Sequence, residues 1–292
     1  MNEAGYLLLN KKPGLTSFET LAPVKKAFST GKVGHTGTLD KFAAGLLLAL
    51  TGRAVKLTPW FSGGDKRYEG IIRFGVETDT LDPEGVPVAE GPAPALEALT
   101  RALSGFRGNI LQAPPVYSAV HIRGKRASEL ARSGQTIEMP ARPVTIYALE
   151  LRAYRPPDAV IFVHCSKGAY IRSLARDIAR AAGSCGHLAG LTRTRIAGFR
   201  VSDAVDPSEA SPAALKPLDR QAFETLGMFC APVSDDAAWD VIRGKPITEI
   251  LSDLTLPAAI TAAGLFRKNG ELLAVLEQNG GHWRYGYVYA RP

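Results

Sequence analysis

A chain of 292 residues, 46% hydrophobic and 22% charged, can bury a substantial core and form about two domains. Its longest apolar stretch, Ala43 to Leu50, is far short of the roughly 20 residues of a membrane span, and Met1-Asn2-Glu3-Ala4-Gly5 lacks the basic flank and cleavage site of a signal peptide, so a soluble cytoplasmic protein is expected. The net charge of +7 is uneven: residues 219–292 hold 7 Lys/Arg against 9 Asp/Glu, a net of −2, which leaves +9 on residues 1–218, as expected if that part grips a polyanion, the plain alternative being solvated lysines that need no partner.

Tyr6-Leu7-Leu8-Leu9-Asn10 reads as a buried strand that ends at the Pro13-Gly14 turn. Thr16-Ser17-Phe18-Glu19 fits a capping box, with Leu21, Val24 and Phe28 at helical spacing and Pro23 expected to kink or shorten the helix. Gly34-His35-Thr36-Gly37-Thr38-Leu39-Asp40 can turn tightly and presents one carboxylate at the start of an apolar element, Lys41 to Leu50, expected as a helix. On these residues alone Asp40 reads first as an ordinary helix N-cap.

Tyr68, Gly70, Ile72, Phe74 and Val76 alternate with Arg73 and Glu77, the pattern of a half-buried strand. Asp79-Thr80-Leu81-Asp82-Pro83-Glu84-Gly85 reads as a polar turn whose acids solvate it. Leu96, Leu99 and Leu103 make a helical stripe stopped at Ser104-Gly105, and the prolines of Gln112 to Ala119 extend the next segment. His121 to Arg142, with Arg123, Lys125, Arg126, Arg132 and Arg142, is either a solvated excursion or a flap over phosphates.

Val144 to Leu151 and Ala159 to Cys165 read as strands, the second of them central. The following helix turns Ile171, Leu174 and Ile178 to the core, places Arg172, Arg176 and Arg180 on one exposed or cleft-facing stripe, and ends at Gly183. Arg193, Arg195 and Arg200 form a further basic cluster, Pro207, Pro212 and Pro217 mark a linker, and the remainder reads as a small β-rich domain. Cys165, Cys185 and Cys230 are too few and too scattered for a disulfide framework or a CxxC metal pair, so no structural metal is expected.

GxGxxG after a strand, GxxxxGK[ST], HExxH and GxSxG are all missing, which removes sequence support for nucleotide-binding, zinc-protease and serine-hydrolase readings. Three motifs together, Gly34 to Asp40, Asp65-Lys66-Arg67-Tyr68 and Cys165-Ser166-Lys167-Gly168-Ala169-Tyr170-Ile171-Arg172, resemble the TruB family of bacterial tRNA pseudouridine-55 synthases. Pro115 to Ala119, Arg142 to Tyr147 and Gly186 to Arg195 fit the same family, so the resemblance covers roughly residues 5–200.

The resemblance implies an α+β fold: a mixed, mostly antiparallel sheet with flanking helices over residues 1–218, with 116–144 as a mobile thumb, and a PUA-like module over 219–292. It implies Asp40 as nucleophile, Arg172 as its ion partner, and Tyr68 stacked on an extruded uracil where it helps remove the C5 proton. His35, Tyr170, Leu191 and Lys11 would contact the substrate, and Arg126, Arg132, Arg176, Arg193 and Arg195 the RNA backbone. No cofactor and no metal are implied, and the partner is the tRNA T-stem-loop, bound by a monomer needing no protein partner. The sequence departs from the family at Lys41, where proline is frequent, at Thr192, where arginine is common, and in the displaced Lys-Pro pair of Asn10-Lys11-Lys12-Pro13-Gly14.

A non-catalytic RNA-binding or tRNA-folding protein is the competing reading, but it requires only the basic surface and not Asp40, Tyr68 and Arg172 together. A carboxylate glycoside hydrolase would need a second acid at fixed separation, and no motif supplies one.

Overall fold

Tyr6-Leu7-Leu8-Leu9 is buried on both sides because it forms strand β1 (Tyr6–Lys11), whose two faces are covered by separate apolar clusters. The computed structural model describes residues 4–122, 124–133, 135, 137–251, 254 and 256–290; Arg123 lies outside them. The capping box forms, with Thr16 Oγ1 accepting from Glu19 N at 3.1 Å and Glu19 Oε2 accepting from Thr16 N at 2.8 Å. Pro23 does more than kink the helix: there are two pieces, α1 (Ser17–Thr20) and α2 (Ala22–Ala27), with Pro23 in the first turn of the second.

Strand β2 (Val33–His35) leads into the loop ending at Asp40, and the element after that loop is a strand, β3 (Ala44–Thr51), where a helix is expected. Asp40 is therefore not a helix N-cap. Leu46, Leu48 and Leu50 pack into one apolar cluster while Leu47 and Ala49 pack into another. A strand covered on both faces needs apolar residues at every position, so its sequence shows no alternation and cannot be told from a buried helix by period.

Past α3 (Thr58–Phe61), β4 (Lys66–Phe74) turns Tyr68, Gly70, Ile72 and Phe74 inward and Arg73 outward, as the alternation predicts. Gly75, at φ +92°, breaks the phase before β5 (Val76–Thr78) pairs with β6 (Pro87–Glu90). Glu77, expected on the outer face, is consequently buried against Arg180, with Nη2–Oε1 at 2.6 Å.

Helix α4 (Leu96–Ser104) stops where the sequence predicts. Strand β7 (Gly108–Gln112) precedes the basic excursion, which folds as a small hairpin, β8 (His121–Ile122) with β9 (Lys125–Arg126), followed by α5 (Ala127–Arg132). Val120, Ala127 and Met139 give this excursion its own apolar centre, against which Tyr170 packs. Next come β10 (Arg142–Arg155), β11 (Asp158–Cys165), α6 (Ile171–Ala181), β12 (Gly186–Ile196) and β13 (Phe199–Arg200).

The principal sheet runs β1-β3-β12-β4-β11-β10-β7, with β2 on β3 and β13 on β12. All of its pairings are antiparallel except β3 with β12. Helix α6 lies on one face through Ile171, Leu174 and Ile178. Residues 204–217 do not hang free as a linker: Val205 and Lys216 bridge to Leu9 and Tyr6 along the edge of β1.

The C-terminal part consists of α7 (Arg220–Thr225), β14 (Phe229–Pro232), α8 (Asp235–Ile242), α9 (Ile247–Leu251), β15 (Ala262–Phe266), β16 (Leu272–Asn279) and β17 (His282–Val288), the strands forming one sheet in chain order. One apolar cluster joins this part to the principal sheet, from Tyr6, Phe61 and Phe199 to Phe223, Phe266 and Tyr289. Phe223 sits edge-on to both Phe61, at 5.5 Å, and Phe266, at 5.3 Å.

Candidate active site

The loop carrying Asp40 is tied down from four directions. Ser17 Oγ accepts from Leu39 N at 2.8 Å, Gly14 N donates to Lys41 O at 2.8 Å, and Thr36 N donates to Leu48 O at 3.0 Å. From the sheet, Arg193 Nη2 donates to Gly37 O at 3.1 Å while its Nε donates to Leu46 O at 2.8 Å. Gly45, at φ +101°, lies so near the Arg193 backbone that a Cβ there would overlap it, which explains a glycine at this crossing of β3 and β12. Small and hydroxyl residues thus fold the loop, and bonds from outside it hold Asp40 in place.

Arg172, in the first turn of α6, is the hub. Its Nη2 donates to Asp40 Oδ1 at 3.0 Å and its Nε stands 2.9 Å from Asp40 Oδ2 without hydrogen-bond alignment, so one hydrogen bond and one ionic contact make a two-point grip on the carboxylate. Nη1 donates to Asp82 Oδ2 at 3.2 Å and to Thr80 O at 2.8 Å, and Nη2 also donates to Tyr117 O at 3.0 Å. Asp82, which the sequence places in a solvated turn, is instead buried and also accepts from Thr80 Oγ1 at 2.6 Å and Glu84 N at 3.0 Å. The signal that singles it out is its neighbour Leu81, an apolar residue in a polar turn, which is buried at φ +62° and accepts from Leu188 N.

Burial pushes the Asp40 carboxyl above the usual range; Arg172 pulls it back, and the second carboxylate, Asp82, pushes it further up. One guanidinium shared by two carboxylates leaves Asp40 with less than a full counter-charge. That is a means of keeping a carboxylate reactive.

Asp40 and Arg172 sit in a cleft of about 510 Å³, of a size for one nucleoside. Tyr68, Tyr170, Leu191, Tyr117 and Lys66 line it. Burial raises the Tyr68 hydroxyl above its usual range, so at neutral pH it is a phenol that offers a ring face and a donor. Tyr170 is fixed by Gln112, whose Oε1 accepts from Tyr170 N at 2.7 Å and whose Nε2 donates to Tyr170 O at 3.1 Å. Lys66, pushed down to about 8 chiefly by burial, donates to Ser62 O at 2.8 Å. Arg126 and Arg132 stand exposed at the rim, on the side of the excursion.

Other residues expected at the substrate are placed elsewhere or are spent on the protein itself. Lys11 is completely buried behind the loop, donating to Ala43 O at 2.6 Å, Lys12 O at 3.1 Å and Lys41 O at 3.3 Å. His35 is half-buried on β2 outside the cleft lining, held below the usual imidazole range by burial and by Arg193. Arg193, expected on an RNA backbone, does border the cleft, but it is 2% exposed, with its guanidinium bonded to Tyr68 and to the carbonyls of Leu46 and Gly37. Arg176 is likewise turned inward, its Nε on Asp177 Oδ1 at 2.8 Å and its Nη2 3.5 Å from Ala113 O. Arg195 lies on the opposite face of the sheet, because a bulge in β12 sets Arg193 opposite Tyr68 but Arg195 opposite Arg67.

Among the described residues, no group of three or more His, Cys, Asp or Glu converges to hold a metal, and no helix is long and apolar enough to cross a membrane. What the cleft offers is a positioned carboxylate, a cation that orients it, and three tyrosines in its lining.

The family profile described as TruB family pseudouridylate synthase (N terminal domain) matches residues 25–171, a span that contains Asp40 and Tyr68. A Borreliella afzelii (strain PKo) protein named tRNA pseudouridine synthase B is 40% identical over 278 residues, 94% of this chain and 95% of its own. A Treponema denticola protein of the same name is 47% identical over 214 residues, 66% of this chain and 60% of its own. A chain from the crystal structure of a Cbf5-Nop10-Gar1 complex superposes with a TM-score of 0.70 at 23% identity, over 94% of this chain and 78% of that one, a likeness of fold.

Proposed function

The chain belongs to the TruB family of pseudouridylate synthases, and from that premise we propose that it isomerises uridine-55 in the T-loop of tRNA, with Asp40 as the nucleophile. The observation that carries this reading is the two-point grip of Arg172 on Asp40 at the floor of a nucleoside-sized cleft. Such a grip holds the carboxylate ionised and aimed while leaving it open to a flipped-out nucleotide.

In the reaction the bond from N1 of uracil to the sugar breaks, the base turns, and a bond from C5 to the same sugar carbon forms. The proton lost from C5 and the one gained at N1 balance, so the product is an isomer and no redox partner enters. Asp40 attacks either the sugar or the base; Arg172 compensates its charge before and after. Tyr68 stacks on the detached uracil and Tyr170 and Leu191 border it, limiting its escape during rotation. Because the Tyr68 hydroxyl is raised by burial, stacking suits it better than accepting the C5 proton in the free enzyme.

Arg126 and Arg132 at the rim contact the phosphates of the stem-loop as residues 116–144 close over it. Residues 1–218 carry the chemistry, and 219–292 act as a PUA-like module whose net negative charge gives it a minor part in binding. Release of tritium from tRNA labelled at uridine C5 tests the proposal. Release from wild-type tRNA, none from tRNA with cytidine at position 55, and none by Asp40→Asn are expected. Release by Asp40→Asn at the wild-type rate would remove the nucleophile assignment, and no release by the wild type would leave an RNA-binding protein.

A further inference from the structure

Three arginines meet on the face of the sheet opposite Asp40. Arg67 follows Lys66 and precedes Tyr68 on β4, so strand alternation sends it away from the cleft that both neighbours line. The β12 bulge sets Arg195 directly opposite Arg67 on one side, and the β12–β13 pairing sets it directly opposite Arg200 on the other. Like charges in direct cross-strand register destabilise a sheet.

Acids do not cancel this repulsion. Of the two near Arg195, Asp65 is held by His164, and both Asp65 and Asp203 act on it less than Arg67 and Arg200 do. Burial and those two cations together hold the Arg195 guanidinium below its usual range. Arg67 Nε and Arg195 Nε are shielded from solvent without a hydrogen-bond partner among the described residues. The three arginines border a groove of about 350 Å³ with Phe162, Thr194, Val201 and Ser202, and Arg152 stacks 5.3 Å from the Phe162 ring.

Convergent guanidiniums with unspent donors suit phosphate, which accepts from them in pairs. The groove and the cleft are back to back at the start of β4, where consecutive residues, Lys66 and Arg67, serve opposite faces. A strand of RNA leaving the cleft there has only the thickness of one sheet to round. We propose that the Arg67–Arg195–Arg200 groove is a second RNA site, holding backbone phosphates of the substrate outside the stem-loop whose uridine enters the cleft. This rests on the tRNA reading above.

The test compares wild type with Arg67→Ala/Arg195→Ala, measuring affinity for full-length tRNA and for the isolated T-arm stem-loop across a salt series, with melting curves and tritium release alongside. For full-length tRNA the variant is expected to bind roughly 10-fold more weakly and to lose about 2 from the slope of log K against log salt. Its stem-loop affinity should stay within about two-fold of wild type, and its Tm should equal or exceed that of wild type, because repulsion is relieved. An unchanged slope with tRNA, an equal loss with the stem-loop, or a lowered Tm overturns the inference. So does saturable binding of inorganic phosphate that the variant loses while its RNA slope stays intact. Wild-type tritium release with an unchanged variant slope defeats this inference alone, whereas absence of wild-type release defeats the reading on which it rests.

Discussion

Arg193 and Arg195 stand two positions apart on β12, yet one is spent inside the protein beside Asp40 and the other faces the far side of the sheet. A regular strand would put them on one face; the bulge at Thr194 separates them. Their substitutions should therefore behave differently. Arg193→Ala leaves Leu46 O and Gly37 O without charged donors, a loss of about 3 kcal/mol and a fall in Tm of roughly 10 °C, with the salt slope of RNA binding unchanged. A reduced slope at an unaltered Tm would return Arg193 to a phosphate contact.

Asp82→Asn should be costly to both stability and rate. The Arg172 and Asp82 side chains are each 6% exposed, and weakening a buried pair of this kind costs about 3 kcal/mol. With its second anchor gone, Arg172 no longer aims Asp40, and a misplacement on the order of 1 Å lowers kcat by roughly 10²-fold. Single-turnover tritium release read beside melting curves tests both. A wild-type rate would show that Asp40 with the Thr80 and Tyr117 carbonyls is enough to orient Arg172.

Asp40 sets a trade between activity and stability with pH. Its carboxyl is raised in the folded protein, mainly by burial, so the fold holds that proton more tightly than the unfolded chain does. The group's contribution to stability is therefore full below the ordinary aspartate pKa and lost as pH rises through the raised value. Asp40→Asn should abolish turnover, by roughly 10³-fold or more, while raising Tm at neutral pH, with the difference closing on acidification. The wild-type acid limb of kcat should lie above the usual aspartate range. A Tm gap independent of pH would contradict this account.

Lys11 carries the opposite linkage. Burial pushes its ammonium down to about 8 from 10.5, so its contribution is full above the unfolded value and lost as pH falls through the folded one. Between about pH 8 and 10.5 this group makes wild-type stability rise with pH, and Lys11→Met should remove that increment. The same substitution frees Lys41 O and Ala43 O, so kcat should fall more than KM changes. A KM effect alone would place Lys11 at the substrate instead.

That Asp40, Tyr68, Tyr170 and Arg172 meet in one cleft was legible in the sequence because they sit in contiguous motifs: Gly34 to Asp40, Asp65 to Tyr68, and Cys165 to Arg172. Local chemistry also determined the Thr16 capping box, the break at Pro23, the alternation of β4 and the stop of α4 at Gly105, since each depends on residues within a few positions of one another. Only the tertiary structure decided that Lys41 to Leu50 contains a strand, because burial on both faces erases the period that would declare it. It alone brought Asp82 to Arg172, a partner 90 residues away, and turned the clustered basic residues apart. Charge marks a residue as polar, but its direction is set by register, and a single bulge at Thr194 settles which arginine braces the Asp40 loop and which meets Arg67 and Arg200 across the sheet.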